Sequence, residues 1–361
     1  MTVHTEILLI AIAVSIACAI PGVFLVLRRM SMMADAITHT VFLGIVLAFF
    51  MTEDLNSPFL LVGATLVGVG TVWLTEMIHN TGLVNEDASI GIIFPLLFSI
   101  AIILVSLYSG NAHLDVDTAL LGEIAFAPFD RWIVNGTDLG PISLWISLGV
   151  ALINLILVIL FYKELQLSTF DPLLAGLFDF MPALIHYVLM TMVSLTVVAS
   201  FQAVGAILVI GLMIGPAAIT YLWTDSVKAM LTSSIIIGII CAVVGTEVAF
   251  TMDVSIAGSI ATTIGIALII AVIATPKTGY IATYRRQRHL RRHYRETMML
   301  CHIYTHMDTP IAHVENGIGT IHEHLNWRPD YTHQAASQLK KQGLLYVTNG
   351  HYVLTDKGIA Q

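Results

Sequence analysis

Charged residues are scarce in this chain of 361 residues: only 11% are Asp, Glu, Lys or Arg, whereas 57% are hydrophobic. A soluble globular protein carries about 25% charged residues, so the composition excludes an ordinary soluble protein and predicts one that crosses a membrane several times. Basic residues are the scarcest. Residues 1–276 hold five Lys and Arg against eighteen Asp and Glu, while residues 277–361 hold eleven against six. The chain therefore divides into an apolar part and a basic tail.

Cysteine is also rare, and two sequence devices are missing. The three cysteines, Cys18, Cys241 and Cys301, lie far apart, and no CxxC motif occurs. This excludes a disulfide scaffold and a thiolate zinc site of the CxxC type. The GxxxxGK[ST] loop that cradles nucleotide phosphates is absent as well, so the chain is not expected to bind ATP by that device.

Long apolar segments are what the sequence has in abundance. A transmembrane helix needs about 20 apolar residues, and nine segments qualify: roughly 7–27, 33–51, 58–78, 89–108, 142–162, 182–200, 202–223, 230–250 and 257–275. Only Phe201 and Gln202 separate the sixth from the seventh, so eight spans with one broken or re-entrant helix remain an alternative. The motif Gly211-x-x-x-Gly215-Pro216 predicts a helix interruption within the seventh segment.

The few basic residues predict the orientation of the chain in the bacterial plasma membrane. Lys and Arg favour cytoplasmic loops. An external N-terminus puts Arg28, Arg29, Lys163, Lys228 and the basic tail in the cytoplasm, and leaves Arg131 as the exception. We therefore predict an all-α polytopic membrane domain over residues 1–276, an Arg-rich cytoplasmic linker over 277–295 and a cytoplasmic domain over 296–361.

Asp35 and His39 form the most informative polar pair. Their i, i+4 spacing puts both side chains on one face of the second span, where a carboxylate and an imidazole are costly unless they line a pathway or a site. At 1.5 Å per residue, His39 lies about 15 Å beyond Arg29, near the membrane midplane. Together they suit manganese, iron or zinc in transit. A buried pair that only holds helices together is the alternative. Glu247 is a further candidate metal ligand.

Residues 164–179 predict a short amphipathic helix along the membrane face. Ser168 or Thr169 is a suitable N-cap, Pro172 fits the first turn and Gly176 lies near the end. Such a helix fits a groove on another protein, although an ordinary interfacial connector has the same pattern.

Four motifs together resemble the permeases of zinc, manganese and iron ATP-binding-cassette importers. They are Arg28–His39, the run beginning Glu86-Asp-Ala-Ser-Ile-Gly91, the segment Phe170-Asp171-Pro172 with Ala175-Gly176, and Ser200–Ala218. The likeness covers residues 1 to about 276. Ala34 and Thr38 stand where the family usually has Gly and Ser.

This resemblance implies an importer permease with no catalytic residue and no permanently bound cofactor, which carries manganese, iron or zinc by alternating access. It implies a homodimer or a pair with a related permease, an extracytoplasmic metal-binding lipoprotein or periplasmic protein, and a separate cytoplasmic ATPase. The ATPase would dock on the coupling segment, which consists of Ser168, Phe170, Asp171, Pro172, Ala175 and Gly176.

The tail has a different character. Its arginines, Arg285 to Arg295, are typical of contacts with anionic lipid headgroups. Predicted helices over 296–307, 311–325 and 328–342 precede a hairpin with Asn349-Gly350 as its turn. This winged-helix pattern is similar to the N-terminal domain of iron-dependent repressors of the diphtheria-toxin-regulator type. Lys340 and Lys341 could then meet nucleic acid or another partner. His302, His306, His322, His324 and His333 raise the further interpretation of metal sensing.

Two other functions remain alternatives. The chain could be a secondary metal transporter that works alone, with Asp35 as the proton carrier. It could also be a membrane-anchored, metal-responsive DNA-binding regulator.

Overall fold

The computed structural model describes residues 2–53, 57–108, 124–134, 137–275 and 279–360. The chain forms two compact units, Met1–Ile273 and Ala274–Gln361. Residues 276–278, where the predicted linker begins, lie outside the described residues.

The first unit is a bundle of long apolar helices. In chain order its elements are α1 (Val3–Leu27), α2 (Ser31–Thr52), α3 (Pro58–His79), α4 (Glu86–Tyr108), the two-stranded hairpin β1 (Arg131–Val134) and β2 (Thr137–Pro141), α5 (Ile142–Leu160), α6 (Tyr162–Phe170), α7 (Pro172–Leu177), α8 (Pro182–Val204), α9 (Ala206–Tyr221), α10 (Val227–Met252) and α11 (Ile256–Ala274). Among the described residues, eight helices have the length and hydropathy of a membrane span. The prediction of a multi-pass membrane protein is confirmed.

The seventh predicted segment forms a shorter helix. Helix α9 has 16 residues, or about 24 Å at 1.5 Å per residue, against a hydrocarbon core of about 30 Å. The break lies at Gly205, with φ +78° and ψ 163°, which a residue without a Cβ adopts readily. The interruption predicted at Gly211–Pro216 is wrong, because α9 continues through Pro216.

Helix α1 is the centre of the bundle. It packs against α5, α8, α9 and α10, and its side chains Ile10, Val14, Cys18 and Phe24 are completely buried. At Gly22 a Cβ would lie 1.9 Å from the Met213 carbonyl oxygen, so only glycine permits this crossing of α1 and α9. By contrast, α4, α5 and α11 expose many apolar side chains, as lipid-facing helices do.

The second unit is built from α12 (Tyr280–His306), α13 (Ala312–Glu315), α14 (Ile321–His324), α15 (Pro329–Lys341), the antiparallel hairpin β3 (Leu345–Thr348) and β4 (His351–Leu354), and α16 (Asp356–Ile359). It has its own apolar core, which includes Met299, Ile303, Ile321, Leu339 and Leu345. The predicted hairpin and the helix before it are present. The Arg-rich segment is helical from Tyr280 onward and continuous with the first helix predicted for the tail domain.

Candidate functional site

Asp35 and His39 lie one turn apart in the first half of α2. The His39 Nε2 atom is 3.6 Å from Asp35 Oδ1, so the pair can present a nitrogen and an oxygen to the same ion. The His39 ring contacts Phe94 and Phe98 of α4, with ring centroids 5.1 and 5.9 Å away. The side chains of His39 and Asp35 are 28% and 51% exposed. The pair is therefore held on its helix and accessible from one side.

The hydroxyls of the neighbouring Thr38 and Thr40 form hydrogen bonds with the backbone of α2 and with helix α3. Thr38 Oγ1 donates to the Asp35 carbonyl oxygen at 2.6 Å. Thr40 Oγ1 donates to the Ala36 carbonyl at 3.0 Å and accepts from Thr71 Oγ1 of α3 at 2.8 Å. Both hydroxyls thus bond back to the helix, as threonines in spans usually do.

Glu247 lies in a different place. Near the C-terminal end of α10, its Oε1 is 3.3 Å from His4 Nε2 at the start of α1. Among the described residues, no third His, Cys, Asp or Glu side chain is grouped with Asp35 and His39 at metal-binding distances. The structure therefore pairs Glu247 with His4, and Asp35 and His39 are two neighbouring candidate ligands.

The coupling segment forms two helices, α6 and α7, with a cap other than the one expected. Asp171 has an extended backbone and its Oδ1 accepts the Leu174 N–H at 2.9 Å, so Asp171 caps α7, with Pro172 in the first turn. Ser168 and Thr169 instead complete the last turn of α6. Phe170, Leu173 and Leu177 are exposed, by 62%, 85% and 83%, whereas Ala175 is buried. The segment therefore presents an apolar surface to the surroundings.

A polar network fixes the coupling segment to the bundle through Arg28. The guanidinium donates to Ser168 Oγ at 2.7 Å and to Thr169 Oγ1 at 3.1 Å, and its Nη1 lies 3.3 Å from His186 Nδ1. Burial lowers the pKa of Arg28 to about 10, so the group remains charged at neutral pH.

The same network continues to α3. His186 Nε2 lies 2.8 Å from Glu76 Oε1, and Tyr187 OH donates to Glu76 Oε2 at 2.6 Å. Hydrogen bonds that involve an ionised group, such as the one that Glu76 accepts from Tyr187, are stronger than those between neutral groups. Together, these contacts connect the ends of α1, α3, α6 and α8, and we call this group of side chains the Arg28 network.

Arg131, the basic residue that did not fit the predicted orientation, is paired at the opposite end of the bundle. Its guanidinium donates to both Glu6 oxygens at 3.0 and 3.2 Å, and its Nε lies 2.6 Å from Asp138 Oδ2. The Glu6 contact raises the Arg131 pKa further. The Gly140 N–H, followed by Arg131, lowers the pKa of Asp138. The charge of Arg131 is thus balanced by two carboxylates.

These contacts place the polar residues of the first unit at two opposite ends of the bundle. The Arg28 network joins the end of α1, the coupling segment and the start of α8, and Lys228 at the start of α10 lies over the Tyr162 ring at 5.5 Å. Glu6 and His4 at the start of α1, and Glu247 near the end of α10, lie at the other ends of these helices, where Arg131 of β1 pairs with Glu6. Sequence reasoning missed the roles of Glu6, Glu76 and His186, because their partners are more than 100 residues away in the chain.

The bundle, its polar pair within a span and its exposed apolar coupling segment define a multi-pass membrane transport protein. The chain belongs to the ABC 3 transport family, whose sequence profile matches residues 2–275. The prediction that it is a transport subunit, without catalytic activity of its own, is confirmed by this membership.

Two curated relatives have nearly the same sequence identity to this chain, but they are named for different metals. The zinc transport system membrane protein TroD of Treponema pallidum is 40% identical over 356 residues, 98% of this chain and 96% of that protein. The manganese transport system membrane protein MntD of Bacillus subtilis is 42% identical over 281 residues, 78% of this chain and 95% of that protein. The longer match includes the tail.

A solved structure shows the same fold. A chain of PsaBC from Streptococcus pneumoniae, determined in complex with Fab, superposes with a TM-score of 0.65 at 28% sequence identity. The superposition covers 79% of this chain and 96% of that chain. The shared fold thus corresponds to the size of the first unit.

Proposed function

We propose that the chain is the membrane permease of an ATP-driven importer of manganese or zinc, and that Asp35 and His39 contact the ion in transit. The observation that carries the proposal is this pair, 3.6 Å apart within a span of a transport-family protein. An imidazole and a carboxylate are good ligands for first-row divalent metals and poor ones for alkali ions. At 1.5 Å per residue, Asp35 would lie about 9 Å and His39 about 15 Å beyond Arg29, which brings His39 towards the midplane depth at which transporters bind their substrates.

The small number of ligands suits an ion that must leave again. Two side chains hold an ion less firmly than the closed four-ligand shell of a structural zinc site, and water fills the remaining positions. The partial exposure of Asp35 supports a pathway beside it, because a carboxylate facing lipid costs at least several kcal/mol. In the predicted dimer, a second permease copy that covers this face would enclose the pathway.

The coupling segment is the proposed contact with a cytoplasmic ATPase. Its exposed apolar side chains Phe170, Leu173 and Leu177 fit the apolar core of an interface between proteins. A displacement of the segment would be transmitted through the Arg28 network to α1, α3 and α8. Helix α2 packs directly on α3 and α8, so the same displacement reaches Asp35 and His39. Alternating access would follow from this connection.

The proposed orientation keeps the N-terminus outside and the tail in the cytoplasm of a bacterial cell. Arg28 and Lys228 lie on the face of the coupling segment, and Arg131, on the other face, is balanced by Glu6 and Asp138, so the positive-inside rule is respected. The external face would receive the metal from an extracytoplasmic binding protein.

Manganese and zinc are the proposed substrates because the curated relatives are named for these two metals. Neither relative is decisive, since their identities to this chain differ by only two percentage points. Iron stays a prediction based on ligand chemistry alone, since Asp and His also suit that ion.

The tail is proposed to regulate transport. The winged-helix hypothesis stays a prediction for this unit, in which Lys340 and Lys341 are exposed at the end of α15. DNA binding and lipid contact by the arginines of α12 also stay predictions.

The test is metal uptake in cells that lack their own importers, given this chain with its ATPase and binding protein. Radiolabelled manganese, zinc and iron are compared for the wild type, Asp35→Ala and His39→Ala. We expect each substitution to lower uptake at least about 100-fold while the complex still assembles, because half of the ligand pair is lost. Matched controls are His79→Ala and Asp253→Ala, which remove exposed polar side chains near helix ends.

Normal uptake by both variants would show that the pair is structural. A secondary transporter predicts uptake that continues when ATP is depleted and the proton gradient is kept, whereas the importer predicts none. A membrane-anchored regulator predicts no accumulation of any metal by the wild type.

A further inference from the structure

A second group of metal-ligating side chains lies in the tail, where three short segments meet. His302 and His306 are one turn apart near the end of α12, Glu315 is the last residue of α13, and His324 is the last residue of α14. One ligand atom from each of His302, His306 and Glu315 lies within 4.8 Å of the others. His324 Nδ1 is 3.0 Å from Glu315 Oε2. We call these four residues the tail cluster.

The imidazole rings of the tail cluster lie close to one another and beside a single carboxylate. The His302 ring centroid is 4.8 Å from that of His306 and 6.2 Å from that of His324. His302 Nε2 lies 3.9 Å from Glu315 Oε2. Among the described residues, Glu315 is the only carboxylate within ion-pair distance of these rings. Two of the three imidazoles, those of His302 and His324, thus lie within ion-pair distance of the same carboxylate.

The position of the tail cluster is well supported by the fold. His302 and Glu315 side chains are only 13% and 18% exposed, and they lie beside Ile303 and Ile321, which are completely buried. His302 Nε2 is also 3.2 Å from the Glu315 carbonyl oxygen. When Nε2 donates its N–H to this carbonyl, Nδ1 is the nitrogen left for a metal, and a carbonyl that holds the non-ligating nitrogen in this way fixes the ring orientation. His324, 31% exposed, leaves the cluster open to solvent on one side.

We propose that the tail cluster is a binding site for a divalent transition metal, with His302, His306 and Glu315 as ligands and His324 as a fourth. Imidazole nitrogens with one carboxylate suit zinc, and also cobalt or manganese, rather than calcium or magnesium. Ligands about 2.1 Å from a tetrahedral ion are about 3.4 Å apart, so small side-chain rotations close the shell. The bound ion would connect α12, α13 and α14, and its binding would therefore stabilise the tail.

This inference goes beyond the proposed transport function, because it concerns residues of the other unit and none of the ion pathway. Neighbouring histidines do not belong to the site. His322, also on α14, lies 4.0 Å from Glu323 instead, and His333 is on α15. These two residues provide matched controls within the same fold.

The experiment measures zinc bound to the purified full-length chain in detergent, isolated through a tag without histidine. The background carries His39→Ala, which removes the transit pair from the count. After equilibrium dialysis and elemental analysis, we expect about one zinc per chain. Glu315→Gln and His302→Ala should each raise the Kd of this ion at least about 10-fold, whereas His322→Ala and His333→Ala leave it unchanged. Cobalt as a probe should give the visible absorption of a nitrogen-rich, low-coordinate site.

Glu315→Gln preserves the shape of the side chain and His324→Asn changes a partly exposed one, so both variants should remain folded even where His302→Ala does not. Circular dichroism of the tail helices checks this. Unchanged zinc affinity in the folded Glu315→Gln and His324→Asn variants would overturn the proposal. So would an equal loss of zinc in the two control variants.

Discussion

The Asp35–His39 pair and the tail cluster offer the same kinds of ligand atom in different numbers. The pair has one imidazole and one carboxylate within a span, and its Asp35 side chain is half exposed. The tail cluster has three imidazoles and one carboxylate, and His302 is only 13% exposed. Metal affinity increases with ligand number and site rigidity. The comparison therefore predicts that an ion leaves the Asp35–His39 pair readily and stays in the tail cluster.

The two sites also depend on different parts of the molecule. The pair lies on a helix that packs on α3 and α8, both of which end in the Arg28 network, so its accessibility depends on the conformation of the bundle. The tail cluster depends on the local packing of α12, α13 and α14 around Ile303 and Ile321. Coupling to a conformational change is thus expected at the first site and not at the second.

The largest effect that sharpens this comparison is expected from Arg28→Ala. The substitution removes the donor to Ser168, Thr169 and His186, and hydrogen bonds to a charged group are worth about 1.5–3 kcal/mol each. We expect metal uptake to fall at least about 30-fold while zinc binding by the tail is unchanged. Uptake of radiolabelled metal and the ATPase rate of the assembled complex are measured together.

Arg29→Ala is the matched control for that experiment, since Arg29 is the exposed neighbour of Arg28. Arg29 has a φ of +60°, and because both Arg and Ala carry a Cβ, the substitution leaves the backbone strain at this position nearly unchanged. It should keep more than half of the uptake. Equal losses at the two positions would mean that positive charge in this loop matters and that the Arg28 network does not.

A smaller effect is expected when the chain is ended at Thr275. The manganese transport relative matches 281 residues, about the length of the first unit, so the shortened chain should retain uptake within about twofold in metal-poor medium. If the tail regulates by binding metal, uptake in excess zinc should fall several-fold in the full chain and not in the shortened one. If the shortened chain lost uptake in metal-poor medium, the first unit would not transport independently of the tail.

Regular features of the fold were predictable because they depend on local composition. Runs of about 20 apolar residues predicted nine spans. Among the described residues, eight of these form helices of full span length and the seventh forms the shorter α9. Asn349-Gly350 predicted the hairpin turn. The helix break was misplaced, because Gly205 and Gly215 look alike in sequence, and only the crossing of α8, α9 and their neighbours decides which adopts a positive φ. The cap of α7 was misplaced for a similar reason: Ser168 and Thr169 are suitable caps whose hydroxyls face Arg28 instead.

The polar sites also divide into pairs that a local sequence pattern predicts and contacts that depend on packing. Asp35 with His39, and His302 with His306, follow from an i, i+4 spacing on one helix. Glu315 and His324 join the second pair only through the packing of three helices, and Glu6 joins Arg131 across 125 residues. No pattern in a single sequence reports such distant pairs. The available sequence signal was the position of Glu6, an acidic residue at the start of an apolar segment, which the structure buries to 3% exposure beside Arg131.

The smallest effect is expected from Thr38→Val, which tests whether the transit site has only two side-chain ligands. The Thr38 hydroxyl donates to the Asp35 carbonyl at 2.6 Å and the residue is completely buried, so its oxygen is not directed to an ion. Valine has nearly the same shape. We expect uptake within about 1.5-fold of the wild type and an unchanged preference between manganese and zinc.

Thr40→Val is the control for the lost hydroxyl itself, because Thr40 accepts the Thr71 hydroxyl between α2 and α3. An interhelical hydrogen bond of this kind is worth about 0.6 kcal/mol in a membrane protein, so the variant should melt slightly earlier and transport with the same metal preference. If Thr38→Val abolished uptake as His39→Ala does, while Thr40→Val did not, the Thr38 hydroxyl would be a third ligand. The transit site would then hold its ion more as the tail cluster does, and the contrast between the two sites would have to be explained by their surroundings alone.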